Sequence, residues 1–93
     1  MCALLTPNSF VFGGSGESQL VSCDTASCCC PPGSWGVKKV RKNGEPVPKK
    51  RFKMTENTGE TTVSYGTLKC KTDIPGDYEI ILNCGNSLSA TVG

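Results

Sequence analysis

The amino-acid sequence predicts an all-β fold, a single antiparallel β-sandwich of seven to eight short strands. The chain has 93 residues, which fits one small domain over residues 1–93. Its 11 Gly and 6 Pro are more turn-forming residues than a helical bundle tolerates. Short runs of alternating apolar and polar residues are separated by turn signals at intervals of about 8 to 12 residues, a spacing typical of sandwiches.

The first predicted strands lie on either side of a glycine-rich turn. Phe10 and Phe12 share one face of a strand, because side chains two residues apart in a strand point the same way. Residues 13–16 then turn the chain into a second strand over residues 18–23. Residues 23–34 are rich in Cys and Pro and are predicted to form a loop.

The dipeptide Asn43-Gly44 predicts a hairpin, since both central residues of a two-residue type I′ turn need positive φ. The apolar side of this hairpin consists of Trp35, Val37 and Val40. The three-residue step between the two valines breaks strict alternation and indicates a β-bulge. We expect the tryptophan in the core, because a chain with one Trp and three Phe has little other bulk to fill its centre.

Two more predicted strands flank a turn at residues 57–59. Phe52 and Met54 alternate with polar residues before this turn. After the turn, the alternating positions are Thr61, Val63 and Tyr65. The period of two in both segments is that of a strand.

The last two predicted strands form a second hairpin. The clearest strand covers residues 78–84, where one face carries Tyr78, Ile80, Leu82 and Cys84. A turn at Gly85-Asn86 leads to the final strand, where one face carries Leu88, Ala90 and Val92. The full set of strands matches an immunoglobulin-like β-sandwich in size, and we favour this sandwich over a small barrel.

Three features in order along the chain resemble the BACON family of immunoglobulin-like modules. They are residues 7–17, with the sequence Pro-Asn-Ser-Phe-Val-Phe-Gly-Gly-Ser-Gly-Glu, the single Trp35, and an Asn-containing turn before the last strand. BACON modules begin with a Pro-x-x-Phe-x-Phe strand and a Gly-Gly turn, and they carry a core Trp. The resemblance implies a binding or spacer module without catalytic activity, from gut Bacteroidetes or their phages.

Residues 75–78, Pro-Gly-Asp-Tyr, also look like the corner that enters the penultimate strand of immunoglobulin domains. In those domains a Cys follows the Tyr by two residues, whereas Cys84 follows Tyr78 by six. We therefore expect that the antibody-type disulfide and corner are not reproduced.

The absence of His argues against an enzyme. Without His, the chain has no Ser-His or Cys-His nucleophilic pair, no His-ligated zinc and no imidazole acid-base group. The turn at residues 13–16 lacks the Gly-Lys-Ser/Thr ending of a phosphate-binding loop. We expect no catalytic residue, no metal and no cofactor.

Seven cysteines leave several interpretations open. In a secreted domain they allow up to three disulfides with one thiol left over. The N-terminus has neither the basic segment nor the apolar run of a signal peptide, so we expect synthesis in a reducing cytosol. A zinc site lacks paired Cys-x2-Cys spacing. We favour small buried core residues, first Cys84 and also Cys23 and Cys70. The triplet at residues 28–30 has no such explanation.

Positive charge is concentrated in residues 37–53, the predicted basic hairpin. This segment holds eight of the ten Lys and Arg residues against one carboxylate, Glu45. The eight cations are Lys38, Lys39, Arg41, Lys42, Lys49, Lys50, Arg51 and Lys53. They suit nucleic-acid binding, a solvated edge that resists aggregation, or docking to an acidic protein surface. Charge segregation within so small a chain favours docking as the function.

The sequence therefore predicts a non-catalytic structural or interaction protein. The favoured form is an auxiliary capsid protein, made in the host cytoplasm and displayed on the virion beside other capsid subunits in many copies. The first alternative is a bacterial cell-surface module that binds carbohydrate or protein, with Trp35 or Tyr65 as a stacking platform. The second is a nucleic-acid-binding domain that uses the basic hairpin. No apolar run approaches the length needed to cross a bilayer, so we expect no membrane span.

Overall fold

The computed structural model describes residues 5–23, 30–57 and 65–93, in which nine strands form two β-sheets. The strands are β1 (Leu5–Thr6), β2 (Ser9–Phe12), β3 (Ser18–Cys23), β4 (Val37–Lys42), β5 (Glu45–Val47), β6 (Phe52–Asn57), β7 (Tyr65–Cys70), β8 (Gly76–Leu82) and β9 (Ser87–Val92). A single 3₁₀ turn, Lys49–Arg51, lies between β5 and β6 within these ranges. The prediction of an all-β sandwich is confirmed.

The strand order of the two sheets follows the immunoglobulin arrangement. The four-stranded sheet has the order β1-β3-β7-β6, and the five-stranded sheet has the order β2-β9-β8-β4-β5. In the usual lettering, β1, β3, β7 and β6 occupy the places of strands A, B, E and D, while β4, β8 and β9 occupy those of C, F and G. β5 extends the second sheet beyond C, as in variable-type domains.

The first strand is divided between the two sheets, which the sequence analysis did not predict. β1 pairs antiparallel with β3, and the chain then passes through the cis Thr6-Pro7 peptide bond into β2 of the other sheet. β2 pairs parallel with β9, so the sandwich is not antiparallel throughout. This division adds to the number of strands, because the sequence indicated only one strand around Phe10 and Phe12.

The Asn43-Gly44 hairpin and the bulge beside it are both confirmed. Lys42 lies opposite Glu45 across the turn, and the turn residues have positive φ, 51° at Asn43 and 85° at Gly44. The register of β4 against β8 shifts between Val37 and Lys39. The local signals were sufficient here because a two-residue turn and a break in alternation are both properties of neighbouring residues.

The core lies between the sheets and is built from alternating residues of both. Phe52 packs edge to face against Phe12 and Tyr78, with ring centroids 6.1 and 5.0 Å away. Other fully buried side chains are Val21, Val40, Leu68, Ile80, Leu82, Leu88 and Val92. Leu88, Ala90 and Val92 face inward and their neighbours in β9 face outward, as the alternation predicted.

Trp35 is a core residue, as predicted. Its side chain is 4% exposed, and its Nε1 donates a hydrogen bond to the carbonyl oxygen of Cys30 at 3.1 Å. Gly66 leaves the space that the indole fills, since a Cβ atom on this glycine would lie 2.8 Å from Cε3 of Trp35. A buried tryptophan cannot serve as the stacking platform considered for carbohydrate.

Tyr78 forms the hydrogen bond of the immunoglobulin corner, which the sequence analysis did not expect. Its hydroxyl donates to the carbonyl oxygen of Ile74 at 2.7 Å. The expectation failed because the sequence argument tied this corner to a Cys two residues later. The structure shows that the hydrogen bond forms without that Cys. The disulfide of this chain lies elsewhere, between Cys30 and Cys84.

Two predicted strands differ in their limits from those observed. β8 ends at Leu82, and Cys84 lies half-buried in the turn that follows rather than on the inner face of the strand. β7 runs from Tyr65 to Cys70, beyond the predicted stretch, and its buried residues are Gly66, Leu68 and Cys70. The predicted positions Thr61 and Val63 and most of the turn at 57–59 lie outside the described residues.

Candidate docking surface

The predicted basic hairpin is divided between two sheets. Its first part, β4 and β5, is a true hairpin of the five-stranded sheet. The Lys49–Arg51 turn then carries the chain to β6, an edge strand of the four-stranded sheet. The eight predicted cations therefore lie on β4, on the 3₁₀ turn and on β6, and so are divided between the two sheets and the segment that joins them. Lys38, Lys39, Lys49, Lys50 and Lys53 are exposed, whereas Arg41, Lys42 and Arg51 are half-buried.

The structure adds Lys69 and Lys71 to this surface. Lys69 lies directly opposite Lys53 in the β6–β7 pairing. The backbone N–H of Lys71 donates to the carbonyl oxygen of Arg51 at 2.8 Å, which continues the pairing past the strand ends. Both lysines are exposed. The sequence analysis missed them because only the register of two strands distant in sequence brings them beside the predicted cations.

Few of these cations have an acidic partner. In residues 5–23, 30–57 and 65–93, the only salt bridge joins Arg41 Nη1 to Glu79 Oε1 at 3.6 Å, between side chains that are 41% and 49% exposed. Arg51 Nη1 donates a hydrogen bond to Thr72 Oγ1 at 3.1 Å. No lysine of the described ranges forms a salt bridge. Within these ranges, Arg41 and Arg51 thus form side-chain contacts with the rest of the fold, and the lysines form no salt bridge.

Three carboxylates accept hydrogen bonds from backbone N–H groups in turns instead. Glu56 accepts the backbone N–H of Gly33 on both oxygens, at 2.9 and 3.0 Å. Asp73 accepts the N–H of Ser15 at 2.8 Å, and Glu17 accepts the N–H of Gly13 at 2.9 Å. Hydrogen bonds of this kind satisfy backbone donors that a turn leaves unpaired. None of these three carboxylates forms a salt bridge with a lysine of the described ranges.

A groove opens on the basic surface against the first half of β6. Its volume is about 290 Å³. Its apolar lining consists of Val37, Phe52 and Met54, and its basic lining consists of Lys49, Lys50, Lys53 and Lys71. The groove therefore combines an apolar floor with four lysines that form no salt bridge with a carboxylate of the described ranges. We call this feature the lysine groove.

A second concavity, of about 440 Å³, lies on the outer face of the five-stranded sheet. Its charged residues are Arg41, Asp77 and Glu79. The two carboxylates already have partners within the protein, because Asp77 accepts a hydrogen bond from the Thr91 hydroxyl at 3.0 Å and Glu79 pairs with Arg41. Because these charged groups are paired within the protein, this concavity carries less unpaired charge than the lysine groove does.

The cysteine interpretation is confirmed at one position and wrong at another. Cys70 is a buried free thiol whose Sγ donates to the carbonyl oxygen of Thr72 at 3.2 Å, as expected for a small core residue. Cys84 instead forms a disulfide with Cys30, the last residue of the triplet. A disulfide removes both thiolates as zinc ligands. The side chain of Cys23 and the remaining cysteines of the triplet lie outside the described residues.

Tyr65, the other residue considered as a stacking platform, is half-buried on the outer face of the four-stranded sheet, opposite Ser22. The large exposed apolar side chains of the described ranges are Val11, Leu20 and Ile74, none of them aromatic. In the same ranges, no helix has the length and apolar character needed to cross a membrane.

Comparison with family models, curated proteins and solved structures finds no significant match to this chain. The resemblance to BACON modules therefore stays a prediction. The immunoglobulin-like strand order and the lysines that form no salt bridge within the described ranges are the two observations that bear on function.

Proposed function

We propose that this chain is a non-catalytic structural and interaction protein that docks to neighbouring subunits through its basic surface. In its most specific form the proposal is an auxiliary, or decoration, capsid protein of a virion. The observation that carries it is the set of lysines on β4, the 3₁₀ turn and β6, none of which forms a salt bridge with a carboxylate of the described ranges. A basic patch of this kind steers association with an acidic protein surface and fixes its orientation.

The Cys30–Cys84 disulfide fits a protein that works outside a reducing cytosol. Disulfides persist on virion and cell surfaces, whereas cytosolic thiols are kept reduced. A capsid protein made in the host cytoplasm can become oxidised after release of the particle. The disulfide also supports the alternative of a bacterial cell-surface module, so it does not separate these two locations.

The second alternative, nucleic-acid binding, rests on the same lysines, which would contact phosphates. Proteins that bind single strands usually add aromatic side chains on which bases stack. The described residues offer no fully exposed aromatic side chain near these lysines, since Phe52 is buried beneath them. Docking to an acidic protein therefore accounts for more of this surface.

The proposal is tested on virions purified from the host that carries the coding sequence. We expect mass spectrometry to find this chain in the particles in a fixed ratio to the major capsid protein. We also expect high salt to release it, because interactions between exposed charges are screened. Stripped particles should rebind the purified chain, and nuclease treatment should not prevent rebinding. Absence from purified particles, with the chain found in the bacterial surface fraction, would contradict the virion proposal.

A further inference from the structure

The residues that line the lysine groove restrict the chemical class of ligand that it can bind. Four lysine side chains lie around Val37, Phe52 and Met54. Lysine is a flexible point charge that attracts carboxylate or phosphate without imposing the bidentate geometry of arginine. A ligand that carries only negative charge would contact the lysines but would leave the apolar floor exposed to water. The groove therefore fits a ligand that carries negative charge and an apolar group together.

The size of the groove points to a peptide. Its volume of about 290 Å³ is at the lower limit for enclosed small-molecule pockets, which span roughly 300 to 1,000 Å³. A space of this size accommodates one apolar side chain, with neighbouring residues of the peptide running out over the rim. β6 borders the groove and is the edge strand of its sheet, a setting in which proteins commonly receive an extended segment.

The basic surface contains a like-charge pair of lysines on neighbouring strands. Lys53 and Lys69 lie directly opposite each other on β6 and β7. Like charges in this position destabilise a sheet. No carboxylate of the described ranges forms a salt bridge with either lysine. An anionic partner would reduce this repulsion when it binds, and the reduction would favour the complex.

We propose that the lysine groove binds an acidic peptide segment of a partner protein, with one apolar side chain of that segment seated on Val37, Phe52 and Met54. This inference deepens the proposed function, on which it rests, by naming the chemistry that the partner subunit presents. The flanking carboxylates pair with Lys49, Lys50, Lys53 and Lys71.

The first test is a titration of the full chain, followed by NMR, with a capped peptide of sequence Glu-Asp-Glu-Leu-Asp-Glu-Asp. A second peptide carries Ser in place of Leu and has the same charge. We expect the leucine peptide to bind roughly fivefold to tenfold more tightly, because only its side chain covers the apolar floor. The shifted resonances should belong to the groove residues. Equal binding of the two peptides would overturn the proposal.

The second test uses two variants with the same change in charge. Lys49→Glu combined with Lys71→Glu reverses two groove lysines, while Lys38→Glu combined with Lys39→Glu reverses two exposed lysines outside the groove. We expect the first variant to lose the leucine peptide and the second to retain most of its affinity. All four side chains are exposed, so both variants should melt near the wild-type temperature. Equal losses in both variants would overturn the groove as the site.

Two further binding measurements distinguish this proposal from its alternatives. A single-stranded oligonucleotide of matched charge should bind more weakly than the leucine peptide at every salt concentration, and equal binding would identify a general polyanion surface instead. Stripped particles test the proposed function independently. Particle binding without a preference for leucine overturns the groove inference alone, whereas leucine-peptide binding by a chain absent from particles overturns only the virion proposal.

Discussion

The absence of a side chain at Gly66 allows the backbone of β7 to lie close to the indole ring of Trp35. Gly66 faces the indole from β7, and an added Cβ there would also lie 3.0 Å from the carbonyl oxygen of Thr55 and 3.1 Å from Met54 Sδ. Backbone on one side and a packed ring on the other leave little freedom to adjust. The glycine is required for close approach, and its backbone conformation is an ordinary one for a strand.

We therefore expect Gly66→Ala to destabilise the fold by about 1 to 3 kcal/mol, the usual cost of overpacking a core. Urea denaturation followed by Trp35 fluorescence measures both the loss and the disturbed environment of the indole. Gly93→Ala is the matched control, because a Cβ at the C-terminal glycine meets no atom within 4 Å. Equal stability of the two variants would show that Gly66 lies farther from Trp35, Thr55 and Met54 than these distances indicate.

Tyr78 contributes both to the core and to the corner before β8. Its ring is buried against Phe52, while its hydroxyl reaches back to the carbonyl oxygen of Ile74. Tyr78→Phe keeps the ring and removes this hydrogen bond, so we expect a loss of about 0.5 to 1.5 kcal/mol. Tyr65→Phe should be nearly neutral, since the Tyr65 hydroxyl makes no hydrogen bond within the described residues. Chemical denaturation of both variants makes the comparison, and a neutral Tyr78→Phe would count against the corner.

At the scale of elements, the Cys30–Cys84 disulfide ties the segment before β4 to the turn between β8 and β9. The two cysteines are separated by 54 positions in sequence. The Asn86 side-chain amide lies 3.3 Å from the Cys30 sulfur, and Trp35 bonds the Cys30 carbonyl. The disulfide thus connects two loops at the same end of the sandwich where Trp35 closes the core.

Replacing both cysteines, Cys30→Ser with Cys84→Ser, should lower the free energy of unfolding by about 2 to 4 kcal/mol, as expected for a disulfide closing a long loop. Thermal and denaturant unfolding measure the loss. Peptide mapping of the unreduced wild type should recover a fragment in which these two cysteines are linked. Recovery of both as free thiols would contradict the assignment.

The sequence predicted elements well where the signal was local, and it missed what depends on long-range pairing. The Asn43-Gly44 turn, the bulge in β4 and the inner face of β9 follow from neighbouring residues alone. The Cys30–Cys84 pair does not, because seven cysteines allow many pairings and spacing does not choose among them. The division of the first strand between two sheets likewise depends on β9, which lies at the other end of the chain.

The candidate surface shows the same limit. Its eight cations in residues 38–53 were visible as a charge cluster, but their separation onto two sheets was not. Lys69 and Lys71 join them only through the register of β6 against β7 and its continuation. The lysine groove could not be predicted, since its floor consists of apolar residues from β4 and β6 that the sequence assigns simply to the core.

At the scale of the whole molecule, charge is distributed unevenly over a chain with a formal net charge of only +2. The described carboxylates mostly accept hydrogen bonds from turns or pair with Arg41, whereas two lysines, Lys53 and Lys69, lie opposite each other on neighbouring strands and repel each other. This repulsion should destabilise the isolated protein at low salt, and added salt should reduce it by screening. The Lys53–Lys69 pair is the place to measure it, because its cross-strand register is defined.

We expect Lys69→Glu to raise the melting temperature by a few degrees at low salt, since it turns a like-charge pair on β6 and β7 into an opposite-charge pair. The gain should shrink at high salt, where exposed charges are screened. Lys38→Glu is the control, because Lys38 lies in the bulged part of β4 and has no lysine opposite it in the described pairings. A Lys69→Glu variant that is no more stable than this control at low salt would show that the basic surface carries little repulsion. An anionic partner would then have no such repulsion to relieve.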